Sequence, residues 1–377
     1  MTTEVGRERP PWRRLFGVPL IVTLSFGLLM VVTAAAAGLP LRDPEGFLGP
    51  SYVRLPLLVL LVMAVDVVPR VLLRRPGMRG LVKSIVQILH ERWTGPRLAI
   101  VAAGLGTFYL AYVAYRNLKS FLPFLQERLT DRALMATDSW FAFGSHPADV
   151  LHTLLGTGFT TVVLSAVYMF YMLFVPITLA AALVWSNDLT RGAWYVTALS
   201  FNWILGTATY YMLPSLGPIY VNEQPFADLP PTAVTDLQEA LYENRLEVLA
   251  DPHATEAVHG IAAFASLHVS VVFTAALIAH LARLPKPVRW TMWGFLVLTS
   301  IATVYFGWHY VVDVPAGLAV GGLSVGLAAL AVGRKTRVRS DVLVRTRRSQ
   351  VASPLPAREP ALDVVRRTSP VTGEEGV

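Results

Sequence analysis

Two histidines and one acid are the residues whose types and spacing best suit chemistry: His268, His309 and Asp313. Each histidine stands at the mouth of a long apolar segment. One lies in Phe264-Ala265-Ser266-Leu267-His268-Val269-Ser270, the other in Gly307-Trp308-His309-Tyr310-Val311-Val312-Asp313. His309 and Asp313 are four residues apart, which on a helix places them on one face. A carboxylate so placed accepts a hydrogen bond from one ring nitrogen, fixes the tautomer and makes the other nitrogen a better nucleophile. Ser266 precedes apolar helix directly and reads as its N-cap. Free backbone N–H groups and a hydroxyl at a helix start suit phosphate oxygens. His268, in the first turn, is then placed to protonate a leaving alkoxide and later to deprotonate the attacking group. Taken singly, a cap serine and an interfacial histidine need no chemistry to explain them. Two histidines on one membrane face, one with a partner acid, point to a reaction at the level of lipid headgroups.

The elements that must hold these residues are membrane helices. Of 377 residues, 54% are hydrophobic and only 15% charged, and Val18 to Leu39 and Gly158 to Trp185 carry no charge at all. A span needs roughly 20 apolar residues to cross ~30 Å of hydrocarbon. Eight spans are expected, near 18–39, 52–73, 97–115, 158–185, 192–213, 264–283, 288–307 and 309–333, giving an all-α integral membrane protein. The first reads as an anchor rather than a cleaved signal. Without cysteine there are no disulfides, thiolate chemistry or cysteine-ligated metals.

The net charge of +7 would suit nucleic acid, but its placement suits a membrane. Basic residues gather at Arg7, Arg9, Arg13 and Arg14, from Arg74 to Arg97, and after Arg334, where orientation is set. Both termini are accordingly expected in the cytoplasm of a plasma-membrane protein. The acidic connection 214–263 then lies outside; 116–157 is mixed in charge. Leu81, Val82, Ile85, Ile88, Leu89 and Trp93 alternate with Lys83, Gln87, His90 and Glu91 as in an interfacial amphipathic helix. Beyond about residue 340 the mixture of Arg, Pro, Ser, Thr and Glu predicts a disordered tail. The chain divides into an N-terminal tail, two spans and amphipathic helix (1–96), a catalytic membrane domain (97–333) and a basic tail (334–377). His146, His152, His253 and His259 lack metal-ligand spacing, and Asp66 reads as a helix-packing partner.

The order Ser266-Leu267-His268, a span-sized gap, then His309 and Asp313 resembles the type 2 phosphatidic acid phosphatase superfamily. Within it the inositol phosphorylceramide synthase-like branch is most similar, with its Ser-Leu-His and His-Tyr-x-x-Asp. Tyr210-Tyr211-Met212-Leu213-Pro214-Ser215-Leu216-Gly217-Pro218 is typical of that branch. Arg116-Asn117-Leu118-Lys119, with Asp131, Asp138 and Phe143-Gly144, is similar too. The resemblance implies a six-helix core, His309 attacking phosphorus to form a phosphohistidine, Asp313 orienting it, His268 as acid and then base, and Ser266 binding phosphate. It implies no metal or other cofactor. The chain departs from the pattern where the superfamily's Ser-Arg falls on Ala302 and Thr303, where Ala265 replaces a proline, and in lacking the upstream Lys and Arg-Pro at the expected place. Arg116 and Lys119 are the cations available to offset a phosphate dianion, with headgroup anchoring as their alternative role. Tyr211 is a candidate headgroup contact.

The expected activity is transfer of a phospho-headgroup, for example phosphoinositol, from a lipid phosphoester donor to a lipid acceptor on the extracytoplasmic face. Hydrolysis, with water as acceptor, is the alternative within the same chemistry; the two outer connections leave room for an acceptor and favour transfer. A lipid transporter is the competing class. It would place polar residues near the bilayer midplane at broken helices, unlike the grouping here.

Overall fold

The computed structural model describes residues 11–44, 51–75, 77–255 and 260–333. The tail expected at 334–377, the basic residues Arg7 and Arg9, and His259 lie outside them. The described residues form helices joined by short links. In chain order these are α1 (Pro11–Ala37), α2 (Ser51–Arg74), α3 (Leu81–Arg92), α4 (Gly95–Leu125), α5 (Asp131–Phe141), α6 (Pro147–Leu155), α7 (Phe159–Ala180), α8 (Leu189–Met212), α9 (Pro218–Val221), α10 (Ala233–Ala250), α11 (Leu267–Leu281), α12 (Lys286–Tyr305) and α13 (Asp313–Ala331).

A helix stands at each of the eight expected spans. Among the described residues, four segments combine the length and apolarity to cross a membrane: Trp12–Ala37, Gly95–Leu125, Phe159–Trp185 and Asp313–Ala331. Leu267–Leu281 is apolar but shorter. That shorter helix sits at the centre of the bundle. It packs against α8, α12 and α13, while α8 also packs on α4, α4 on α1, and α12 on α7. Most α11 side chains are buried on every side, which explains a sequence apolar all round its circumference.

α11 and α13 approach unusually closely because glycine faces the contact. A Cβ at Gly317 would lie 2.5 Å from the Ser266 carbonyl oxygen, and one at Gly321 would lie 2.7 Å from that of Ser270. Small residues four apart let two helix backbones touch, as in membrane helix pairs generally.

The connections expected at 116–157 and 214–263 are more ordered than their polarity suggested. α4 runs on to Leu125, and α5, α6, α9 and α10 fold over one end of the bundle. Their apolar faces are narrow. α5 buries Asp131, Leu134 and Asp138, and α10 buries Val234, Gln238 and Val248. Buried polar residues occupy part of each face, so the helical signal is weak in composition alone.

At the opposite end Asp66 is fully enclosed, as a packing partner should be. It accepts from Arg70 Nε at 3.0 Å, Arg92 Nε at 2.9 Å and Trp93 Nε1 at 3.1 Å. Arg92 also donates to Asn187 Oδ1 and the Val184 carbonyl, tying the α3 end to the α7–α8 turn. α3 is the expected amphipathic helix, with Ile88 buried on Val67 and Val71 of α2 and Leu81, Val82 and Val86 exposed.

Candidate active site

Ser266 caps α11 as its position in the sequence predicts. Its Oγ accepts from Val269 N at 3.4 Å, and its carbonyl accepts from Ser270 N at 3.0 Å. The cap fixes the first turn and directs His268 towards α7, where its ring lies 5.0 Å from that of Tyr168 and 4.5 Å from that of Tyr171. Tyr168 is nine residues into α7, so the imidazole is recessed about 14 Å from the helix end at 1.5 Å per residue. The same imidazole stands in the first turn of α11, so α7 extends past the site that α11 and α13 begin beside.

The second histidine lies in the link between α12 and α13. The Thr303 carbonyl accepts from Trp308 N at 2.9 Å and His309 N at 3.2 Å, closing a tight turn. Gly307 sits there with φ +69, and any Cβ on it would meet the Phe226 ring at 2.4 Å. α13 begins only at Asp313, so His309 and Asp313 do not share a helix. Their pairing survives for another reason. Asp313 Oδ2 accepts from both His309 Nδ1 and the Tyr310 backbone N, each at 3.1 Å, so the turn folds back onto the carboxylate.

The two histidines touch. His268 Nδ1 lies 3.1 Å from His309 Nε2. Asp313 can only accept when ionised, which makes His309 Nδ1 the donor and leaves Nε2 with its lone pair; His268 Nδ1 is then the donor to it. The tautomers follow from this chain of partners. Asp313 is wholly buried and His309 nearly so, while His268 is half-buried and keeps an open side. The Ser266 N–H donates to the Asp313 carbonyl at 3.3 Å, which joins the two histidine segments at the Gly317 contact.

The other expected site residues divide. Lys119 Nζ lies over the rings of Tyr115 at 5.9 Å and Tyr210 at 5.2 Å. Arg116 instead turns to Tyr112, with its guanidinium 5.8 Å from the ring centre. The Tyr211 hydroxyl is committed to the Leu118 carbonyl at 2.7 Å and ties α8 to α4. Ser266 is fully buried with its hydroxyl turned to its own helix, so its place is that of a cap. Thr303, where an arginine falls in the superfamily pattern, is fully buried, and its Oγ1 donates back to the Ser300 carbonyl.

Tyr168 and Tyr171, which flank His268, carried no signal in the sequence beyond aromatic content. Asp131 and Asp138 had one: acids seven apart, two turns along a single helix face. Both are buried. Asp138 accepts from Val311 N at 2.8 Å and Val312 N at 3.3 Å. Burial raises its carboxyl to about 6, against the lowering pull of those two amides. Among the described residues, no three His, Cys, Asp or Glu side chains gather as a metal site.

No curated protein and no solved structure matches the chain. A family model described as the PAP2 superfamily matches residues 132–327. The match runs from α5 through α13 and takes in both histidines and Asp313. The chain belongs to the PAP2 superfamily, whose membership indicates phosphatase- or phosphotransferase-type chemistry on lipid-like substrates.

Proposed function

We propose that this protein is a membrane phosphotransferase that moves a phospho-headgroup to a lipid acceptor through a phosphohistidine on His309. The observation that carries the reading is the relay from Asp313 through His309 to His268, each step 3.1 Å. Substrate displaces the hydrogen bond between the rings. His309 Nε2 then attacks phosphorus while Asp313 holds Nδ1–H. The P–N bond forms as the P–O bond to the leaving group breaks, and protonated His268 gives its Nδ1 proton to the departing oxygen. In the second step His268 takes the proton of the acceptor hydroxyl, whose oxygen attacks phosphorus and frees His309. Lys119 offsets charge on the non-bridging oxygens, which is the main requirement of phosphoryl transfer.

The donor headgroup is proposed as a polyol phosphate such as phosphoinositol, on the similarity of Ser266-Leu267-His268, His309-Tyr310 and the segment 210–218 to the inositol phosphorylceramide synthase-like branch. Eight spans with a six-helix core, cytoplasmic termini and an extracytoplasmic site in the plasma membrane belong to the same proposal, supported by the charge asymmetry of the loops. So do the divisions at 96 and 333. Water in place of the lipid acceptor would make the same site a phosphatase.

The test is to incubate detergent-purified protein with a panel of headgroup-labelled phospholipids, with and without lipid acceptors. Label on the acceptor supports transfer, and free phosphate or free headgroup phosphate supports hydrolysis. Full turnover in His309→Ala or His268→Ala on every phosphoester accepted would sink both.

A further inference from the structure

The two histidines sit on separate chain segments, and a third element joins both segments. Asp131 of α5 accepts four contacts. Leu216 N reaches its two oxygens at 2.9 and 3.1 Å, Gly217 N lies at 3.0 Å, and the Tyr310 hydroxyl at 2.8 Å. The first branch leads to His268. Ser215, next to Leu216, accepts from Phe264 N at 3.0 Å through its Oγ and from Ala263 N at 2.9 Å through its carbonyl. Those residues feed directly into the cap of α11. The second branch leads to His309, because Tyr310 is its neighbour and donates its backbone N–H to Asp313. Two turns further along the same face, Asp138 takes the amides of Val311 and Val312. α13 has no side-chain cap of its own, and this carboxylate holds the two amides that lead into it, Val311 N and that of the N-cap residue Val312, from another helix.

We infer that Asp131 and Asp138 are positioning residues for the His268–His309 pair, with Asp131 setting the register between the two histidine segments. The inference rests on the phosphoryl-transfer reading above. Neither carboxylate reaches a ring nitrogen. A buried carboxylate is costly unless fully hydrogen-bonded, and charge-assisted bonds to backbone N–H are stiff. Here their stiffness is applied to loops on either side of the reacting atoms. The segment 215–217 and the His309 turn also abut, since a Cβ at Gly217 would lie 2.6 Å from the Trp308 carbonyl oxygen.

Orthovanadate and orthophosphate test this on the full-length protein. Vanadate attached to an imidazole nitrogen becomes five-coordinate, so tight binding needs both histidines in register, whereas phosphate needs only charge complementarity. Calorimetric titration of Tyr310→Phe, which removes one hydroxyl from Asp131, is expected to show vanadate bound about tenfold more weakly. Its phosphate affinity should stay within about twofold of wild type, although the lost hydrogen bond to a buried carboxylate lowers the melting midpoint. Asp131→Ala and Asp138→Ala should lose more, and adding Tyr310→Phe to Asp131→Ala should cost nothing further. If Asp131→Ala does not fold, Tyr310→Phe decides. Wild-type vanadate affinity in Tyr310→Phe and Asp138→Ala, or parallel loss of phosphate, overturns the inference. Equal vanadate binding by wild type and His309→Ala overturns the phosphohistidine reading, and this inference with it.

Discussion

Substituting Gly317 by alanine probes the seam between the two histidine segments with a single methyl group. The new Cβ would stand 2.5 Å from the Ser266 carbonyl oxygen and 3.2 Å from Val269 Cβ. Ordinary contact begins near 3.4 Å, so α11 and α13 must part locally by about 0.9 Å. The obstructing atom is backbone at the α11 cap and cannot swing aside. Ser266 is also bonded to the Asp313 carbonyl, so the shift falls on the link that registers His268 with Asp313. Applied to the 3.1 Å contact between the histidines, it gives a separation of about 4 Å, beyond hydrogen-bonding range. Overpacking of this kind costs about 1–3 kcal/mol of stability. A displacement of 1 Å at reacting groups lowers turnover on the order of 100-fold. The assay measures kcat for headgroup transfer or phosphate release together with the melting midpoint. Gly326→Ala on the same helix is the control, because nothing lies within 4 Å of its added Cβ, and it should be neutral or slightly stabilising. Wild-type kcat in Gly317→Ala would refute the claim that this contact sets the site.

Lys119→Ala should raise KM for the phosphate-bearing donor by about 10–100-fold, the worth of one charge-assisted contact, with a smaller change in kcat; an unchanged KM would remove Lys119 from the site. Asp138 gives a pH signature in stability. Its carboxyl is raised to about 6 by burial, above the ordinary aspartate value. The folded state therefore holds that proton more tightly than the unfolded chain. The group's contribution is full in acid and is lost as pH rises through about 6. The melting midpoint of wild type minus that of Asp138→Asn should fall between pH 4 and pH 7, and a difference that rises or stays flat would contradict the assignment. Asp66→Ala leaves Arg92 and Trp93 without their buried acceptor and should cost about 3 kcal/mol in thermal unfolding. Turnover of the folded fraction should be unchanged, since this cluster belongs to the other end of the bundle.

Long apolar runs made the helical membrane character legible in the sequence, because covering a bilayer demands continuous apolarity that composition exposes directly. The cap at Ser266 was legible because it depends on neighbours within three residues. The pairing of His309 with Asp313 was legible too, although its cause was not. A spacing of four suggested one helix face, and the structure achieves the same pairing with a turn that folds onto the carboxylate before α13 begins.

Contacts between distant segments were decided by the tertiary structure alone. That His268 meets His309 directly depends on two glycines whose only signal is the absence of a side chain. Lys119 and Arg116 lie nearly one helical turn apart and look interchangeable in the sequence, yet only the packing of α4 against α8 sets Lys119 over Tyr210 and leaves Arg116 on Tyr112. Asp131 and Asp138 stood out in the sequence only as part of a resemblance and as acids seven apart; what they hold is decided by partners between 85 and 179 positions away. Local sequence determines which groups exist and which helices form. Their register at the site is set by hydrogen bonds and close contacts between residues that the chain order keeps far apart.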